Sequence, residues 1–141
     1  MTQRVKVNKV LYGERQFGSA LESLGAAIRE PNFNEYVRDA IIQRFEYTYE
    51  TAWKVIKSVL SYQGVELRHP KEIFREAHAS GWIVNPEHWE AMIEDRNLTT
   101  HTYKLRTAEA VYVAIRDVYY PELCYLHGKI AEVIRNHVGH S

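Results

Sequence analysis

Residues 35–63 read EYVRDAIIQRFEYTYETAWKVIKSVLSYQ. Within them Ile42, Phe45, Tyr49, Ala52, Ile56 and Val59 recur at alternating steps of three and four, the spacing that lines up one side of an α-helix. A seam of this kind belongs to a long helix packed lengthwise on neighbouring helices. Gly64 stands where a C-terminal stop is needed.

The flanking segments repeat the pattern. Phe17, Ala20, Leu21, Leu24 and Ile28 predict a helix over about 14–30, closed by Pro31 and the asparagines around Phe33. Pro70 opens a short third helix carrying Ile73, Phe74 and Ala77, and Gly81 closes it. After the apolar connector Trp82-Ile83-Val84, the run Asn85-Pro86-Glu87 reads as a cap, a first helical residue and an acid on the positive dipole end. A fourth helix follows with Trp89, Met92 and Ile93 on one face. Thr107 is placed to cap a fifth, whose face carries Ala108, Val111, Tyr112, Ile115 and Val118. Pro121 must kink or break that helix. Leu123, Leu126, Ile130, Val133 and Ile134 resume the pattern to about His137. With no credible strand pair, the expected fold is all-α: an up-and-down bundle of four main helices plus one short one. Residues 1–141 are expected to form a single domain, with 1–12 a flexible arm and 138–141 a tail.

A chain of 141 residues suits one domain with a real core. Lys plus Arg and Asp plus Glu number 18 each, so the formal net charge is zero. That balance argues against indiscriminate nucleic-acid binding, which draws on a basic excess. The single cysteine, Cys124, rules out an internal disulfide and fits a reducing compartment. The N-terminal residues lack the unbroken apolar run of a signal peptide, and no stretch suits a membrane span. A soluble, cytoplasmic protein is therefore expected.

The chemistry is concentrated in Asp95-Arg96-Asn97-Leu98-Thr99-Thr100-His101-Thr102-Tyr103. Phosphate-binding glycine loops are absent, the isolated Asp39, Asp95 and Asp117 do not make a nucleotidyltransferase site, and the seven His form no metal-binding pattern. Arg96 continues the apolar stripe of the fourth helix, three after Ile93. A charge in such a place either snorkels from the bundle edge or is held in a partly desolvated site by a partner. His101 can give and take protons near neutrality, and Arg96 offers a planar, permanently charged fork for a phosphate. The two suit RNA cleavage without metal. The imidazole would serve as base or acid, and the guanidinium would stabilise charge on a pentacoordinate phosphate. A separation of five residues on an ideal helix is about 140° of rotation, so the side chains diverge. They converge if the helix ends or bends at Thr99-Thr100, or if a two-fold dimer brings two copies together. The plainer reading makes Arg96 and His101 bundle-edge or dimer-interface groups, and Tyr103 a packing residue beside the fifth helix.

The stretch 95–103 resembles the signature of HEPN-domain toxins of the HEPN/MNT toxin–antitoxin family, also called nucleotidyltransferase substrate-binding proteins: Arg, four residues, His, one residue, Tyr. Ile42-Gln43-Arg44-Phe45-Glu46-Tyr47-Thr48-Tyr49-Glu50 with Ala52-Trp53-Lys54, and Pro70-Lys71-Glu72-Ile73-Phe74-Arg75-Glu76-Ala77, resemble two further segments of that family. The resemblance covers about residues 14–135. It implies a two-fold homodimer with Arg96 and His101 as the catalytic pair of a metal-independent endoribonuclease. It implies Asn97 as an orienting residue, Asp95 as a helper, and core-edge, interface or catalytic roles for Arg44 and Glu46. It also implies a type VII-like toxin silenced when a separate minimal nucleotidyltransferase moves AMP from ATP onto Tyr103. The chain itself would then need no cofactor, its substrate would be RNA, and neither DNA nor a membrane is expected as a partner. The alternative within the same family is a non-catalytic subunit that presents substrate or nucleotide to the nucleotidyltransferase.

Overall fold

The computed structural model describes residues 2–101 and 107–139, with the backbone alone for 98–101. The chain forms α1 (Gln3–Ile28), α2 (Glu35–Tyr62), α3 (Pro70–Ala79), α4 (Pro86–His101), α5 (Ala108–Ala114), a π-helical turn (Ile115–Tyr119) and α6 (Tyr120–His137). No strand occurs among the described residues, and the fold is an all-α bundle. None of the helices is long and apolar enough to cross a membrane, among the same residues.

Helix α2 is the element on which the others pack: α1, α3, α4, α5 and α6 all touch it. Asn34 starts it by accepting from the backbone N–H of Tyr36 at 2.9 Å and of Val37 at 3.0 Å, with Glu35 on the positive end of the dipole. Gly64, at φ +92°, ends it. The N–H of Val65 reaches the carbonyl of Leu60 and that of Gly64 reaches Ser61, a Schellman closure that needs a left-handed residue there. Gly81, at φ +83°, closes α3 in the same way.

The seam expected for α2 is buried from Phe45 onwards: Phe45, Tyr49, Ala52, Ile56 and Val59 all lie in the core. At its first turn Ile41 is fully buried while Ile42 is only half-buried. The buried face is also wider than one seam and includes Thr48, Val55 and Leu60, because α2 has neighbours on more than one side. Thr48 satisfies its buried hydroxyl within the helix pair, donating to the carbonyl of Arg44 at 2.7 Å with that of Ala20 at 3.2 Å.

Two departures from expectation matter. The residues expected to form a flexible arm are helical from Gln3, capped by Thr2, which accepts from the N–H of Val5. Val10 in this segment is fully buried, and Lys6 Nζ ties it to α2 by donating to the Ser61 carbonyl at 2.9 Å, with Glu66 3.5 Å away. At the other end, Val138 packs into the core and the Gly139 N–H reaches the Tyr62 hydroxyl, so 138–139 are no loose tail. Residues 140 and 141 lie outside the described residues.

Pro121 is absorbed without breaking the helix. The preceding turn, Ile115–Tyr119, is wound as π-helix, and Pro121 falls in the first turn of α6. A π turn relieves the clash that a proline ring makes with the preceding turn of an α-helix. It also shifts the buried face: Tyr119, not Val118, follows Ile115 into the core, and Leu123, Leu126, Ile130 and Ile134 continue from it.

Truncating Val10 tests whether the N-terminal turns belong to the fold. Val10→Ala is expected to lower the unfolding free energy by about 1–3 kcal/mol in urea titration, whereas an arm outside the core would show no change.

Candidate active site

The site is built where α4 leaves the core beside α2. Trp89, Met92 and Ile93 are buried, fixing the face of α4 that meets the bundle. Arg96 follows on that face, with its side chain about one-fifth exposed. Its partners are carboxylates from α2. Nη2 donates to Glu50 Oε1 at 3.2 Å, and Nη1 lies 3.9 Å from Glu46 Oε2. Glu46 and Glu50 are four residues apart, so α2 presents both to the same guanidinium. Trp53 Nε1 donates to the second oxygen of Glu50 at 3.0 Å and orients it. The guanidinium carbon also lies 6.0 Å from the ring centre of Tyr49, within cation–π range. Of the two readings of a charge on an apolar stripe, the held and partly desolvated one is what forms.

Asp95 points the other way, into the bundle. It is 5 % exposed, and the Tyr119 hydroxyl donates to its Oδ2. Tyr119 reaches it because the π turn rotates that residue inward. Asp95 thus anchors the first turn of the motif to the π turn and is not exposed to a ligand. Asn97 is exposed and lines a groove between α3 and α4. Arg44 faces α1, donating from Nη1 to the Ser23 carbonyl at 3.2 Å, and does not join Glu46 at Arg96.

The backbone of α4 runs as one helix from Pro86 to His101. The helix does not end between Arg96 and His101, and on a continuous α-helix the two positions of one chain diverge by about 140°. The His101 side chain and the whole of Tyr103 lie outside the described residues.

Sequence reasoning missed Glu50 and Tyr119. Glu50 was detectable as the second acid of a Glu-x-x-x-Glu pair bracketing Tyr49 on the α2 seam. Tyr119 was not, since its inward position depends on a π turn that no residue pattern announces.

The site also perturbs Tyr49. Burial first, then the Glu50 carboxylate, push its phenol up to about 12, with Arg96 pulling it down. The native state therefore keeps the Tyr49 proton between pH 10 and about 12, where an unfolded tyrosine loses it. Stability contributed by this group is complete below pH 10 and falls as pH rises through that window. Tyr49→Phe should flatten the decline in melting temperature above pH 10 relative to the parent chain.

Known proteins give the same outline. Residues 15–132 match the family described as nucleotidyltransferase substrate binding protein like. A Haemophilus influenzae protein named "Probable ribonuclease HepT" is 37 % identical over 81 residues, which are 54 % of this chain and 56 % of that protein. The matched stretch thus spans little more than half of that relative. A crystal structure of a protein from Thermus thermophilus superposes with a TM-score of 0.71 at 31 % identity, covering 81 % of this chain and 98 % of that one.

Proposed function

The chain belongs to the nucleotidyltransferase substrate-binding family of HepT-like HEPN proteins, and from that premise we propose that it is a metal-independent RNA endonuclease, the toxin of a type VII-like toxin–antitoxin pair. The observation that carries the reading is the half-buried Arg96 guanidinium, held by Glu46 and Glu50 at the edge of the bundle, five residues before His101 on one unbroken helix. The name of the Haemophilus relative supports it.

In this reading a phosphate of RNA docks on Arg96. One His101 takes the proton from the ribose 2′-hydroxyl, and the 2′-oxygen attacks phosphorus. Arg96 stabilises the extra charge of the pentacoordinate phosphate. The bond to the 5′-oxygen breaks, an imidazolium protonates that oxygen, and a 2′,3′-cyclic phosphate remains. Because one continuous α4 holds Arg96 and His101 apart in angle, two chains complete the site: a two-fold dimer sets each arginine near the other motif and supplies one histidine as base and one as acid. No cofactor takes part. Arg96→Ala and His101→Ala should each reduce cleavage of total RNA in EDTA by at least about a hundredfold, read as loss of cyclic-phosphate ends. Equal RNA integrity with the parent chain and both variants would favour the rival reading, a non-catalytic subunit presenting substrate to a nucleotidyltransferase, which the family's description favours.

Regulation follows from Tyr103. Its phenol oxygen attacks the α-phosphorus of ATP held by a partner nucleotidyltransferase, pyrophosphate leaves, and the phenolic proton is lost. The AMP brings bulk and negative charge two residues from His101 and competes for Arg96. After incubation with the partner and ATP, intact-mass and peptide spectra should show added AMP on Tyr103, and Tyr103→Phe should remain unmodified. An unchanged mass, or AMP confined to another residue, removes this step.

A further inference from the structure

The groove between α3 and α4 has a volume of about 540 Å³, within the range of small-molecule sites. Its floor is apolar: Phe74, Ile83, Trp89 and Ile93 are each under 10 % exposed, and the rings of Phe74 and Trp89 pack 4.8 Å apart. Its walls are two exposed stripes. Helix α3 contributes Lys71, Arg75 and His78, and α4 contributes Glu90, Glu94 and Asn97. Each set follows the i, i+4, i+7 spacing that keeps residues on one helix face. The basic stripe extends over about 10 Å at 1.5 Å per residue. Opposite charges therefore face each other across an open groove, yet among the described residues no ion pair within 4.0 Å joins the two walls.

We infer that this groove binds one nucleotide of an RNA strand, with its phosphate on Lys71 and Arg75 and its base over the apolar floor against Glu90 and Glu94. The inference deepens the ribonuclease reading and rests on it for the source of the nucleotide, though not for the binding chemistry. Three features select this ligand. Cations on one wall and carboxylates on the other complement a molecule that is anionic at one end and an N–H donor at the other, as a nucleotide is. The concave, apolar-floored shape suits a single planar base and not the flat face of a protein partner. The α4 wall ends at Asn97, the residue after Arg96 and about 100° round the helix from it, so a strand on Arg96 has the groove on the next face of α4. Carboxylates accept hydrogen bonds, which favours guanine, with adjacent ring N–H and amino donors, over uracil, with a single ring N–H. The groove would thus set which base flanks the cut.

The test is calorimetric titration of guanosine 3′-monophosphate and uridine 3′-monophosphate into the purified full chain. The guanosine nucleotide should bind about tenfold more tightly, the difference of one charge-assisted hydrogen bond. Arg75→Ala should weaken both by about tenfold, and Glu90→Gln should narrow the gap between them. Lys71→Ala substitutes for Arg75→Ala if circular dichroism shows the latter misfolded. In RNA cleavage the arginine variant should raise KM more than it lowers kcat. Absence of binding, equal affinity for the two bases, or variants that bind like the parent chain would overturn the proposal. So would an Arg75→Ala chain that loses a nucleotidyltransferase partner while keeping its nucleotide affinity. A parent chain that binds guanosine 3′-monophosphate in the expected pattern but leaves RNA intact removes the ribonuclease reading alone. A chain that cuts RNA with a KM indifferent to Arg75 and Glu90 removes the groove alone.

Discussion

A helix wrapped by neighbours on most of its circumference has little room for charge, and α2 is in that position. Its core face runs from Ile41 to Leu60 and carries Thr48 and Thr51 only because both hydroxyls find carbonyls nearby. The acids Glu46 and Glu50 occupy the strip left over, where α4 emerges. An arginine on the last core-facing position of α4 must meet them. Burying a guanidinium without partners costs several kcal/mol, so the packing of α2 and α4 and the neutralisation of Arg96 are one requirement. Trp53 reinforces it by fixing the far oxygen of Glu50. The arrangement holds the guanidinium in a defined place with charges that an arriving phosphate can replace.

Asp95, Arg96 and Asn97 divide three directions among adjacent residues. Asp95 faces the bundle and binds the π turn, Arg96 faces α2, and Asn97 faces the groove beside α3. Successive helical residues are rotated by about 100°, so within one chain a motif of consecutive polar residues faces several surfaces. Density of reactive groups along the sequence overstates how many act together. The structure gives Asp95 to anchoring, leaves Arg96 at the bundle edge and turns Asn97 to a different surface.

Much of this was legible in the residues. The α2 seam, the glycine stops at Gly64 and Gly81, the Pro70 start and the Thr107 cap all depend on local chemistry, and local chemistry is written in order along the chain. The arm expected over residues 1–12 failed for the opposite reason. Val5 and Val7 alternate only weakly, whereas the decisive facts are the burial of Val10 and the Lys6 tie to Ser61, contacts made across the length of α2. Val138 reads as tail because nothing near it in sequence discloses the core it enters. Pro121 announced a disturbance correctly but not its form. The π turn carries Tyr119 to a buried carboxylate on another helix, a contact that no local pattern discloses.

That turn also imposes a rule on chain length. An α-helix that takes up one surplus residue within a single turn keeps α5 and α6 in phase with the core on both sides. Deleting one residue from 115–119 would let the turn wind back to α and leave that phase intact, whereas the same deletion in an uninterrupted α-helix rotates everything after it by about 100°. Leu123, Leu126, Ile130 and Ile134 would stay on the core, and the loss would fall on the contact between Tyr119 and Asp95. The segment is thus a place where the bundle can give up a residue while the anchor of the motif on α4 cannot.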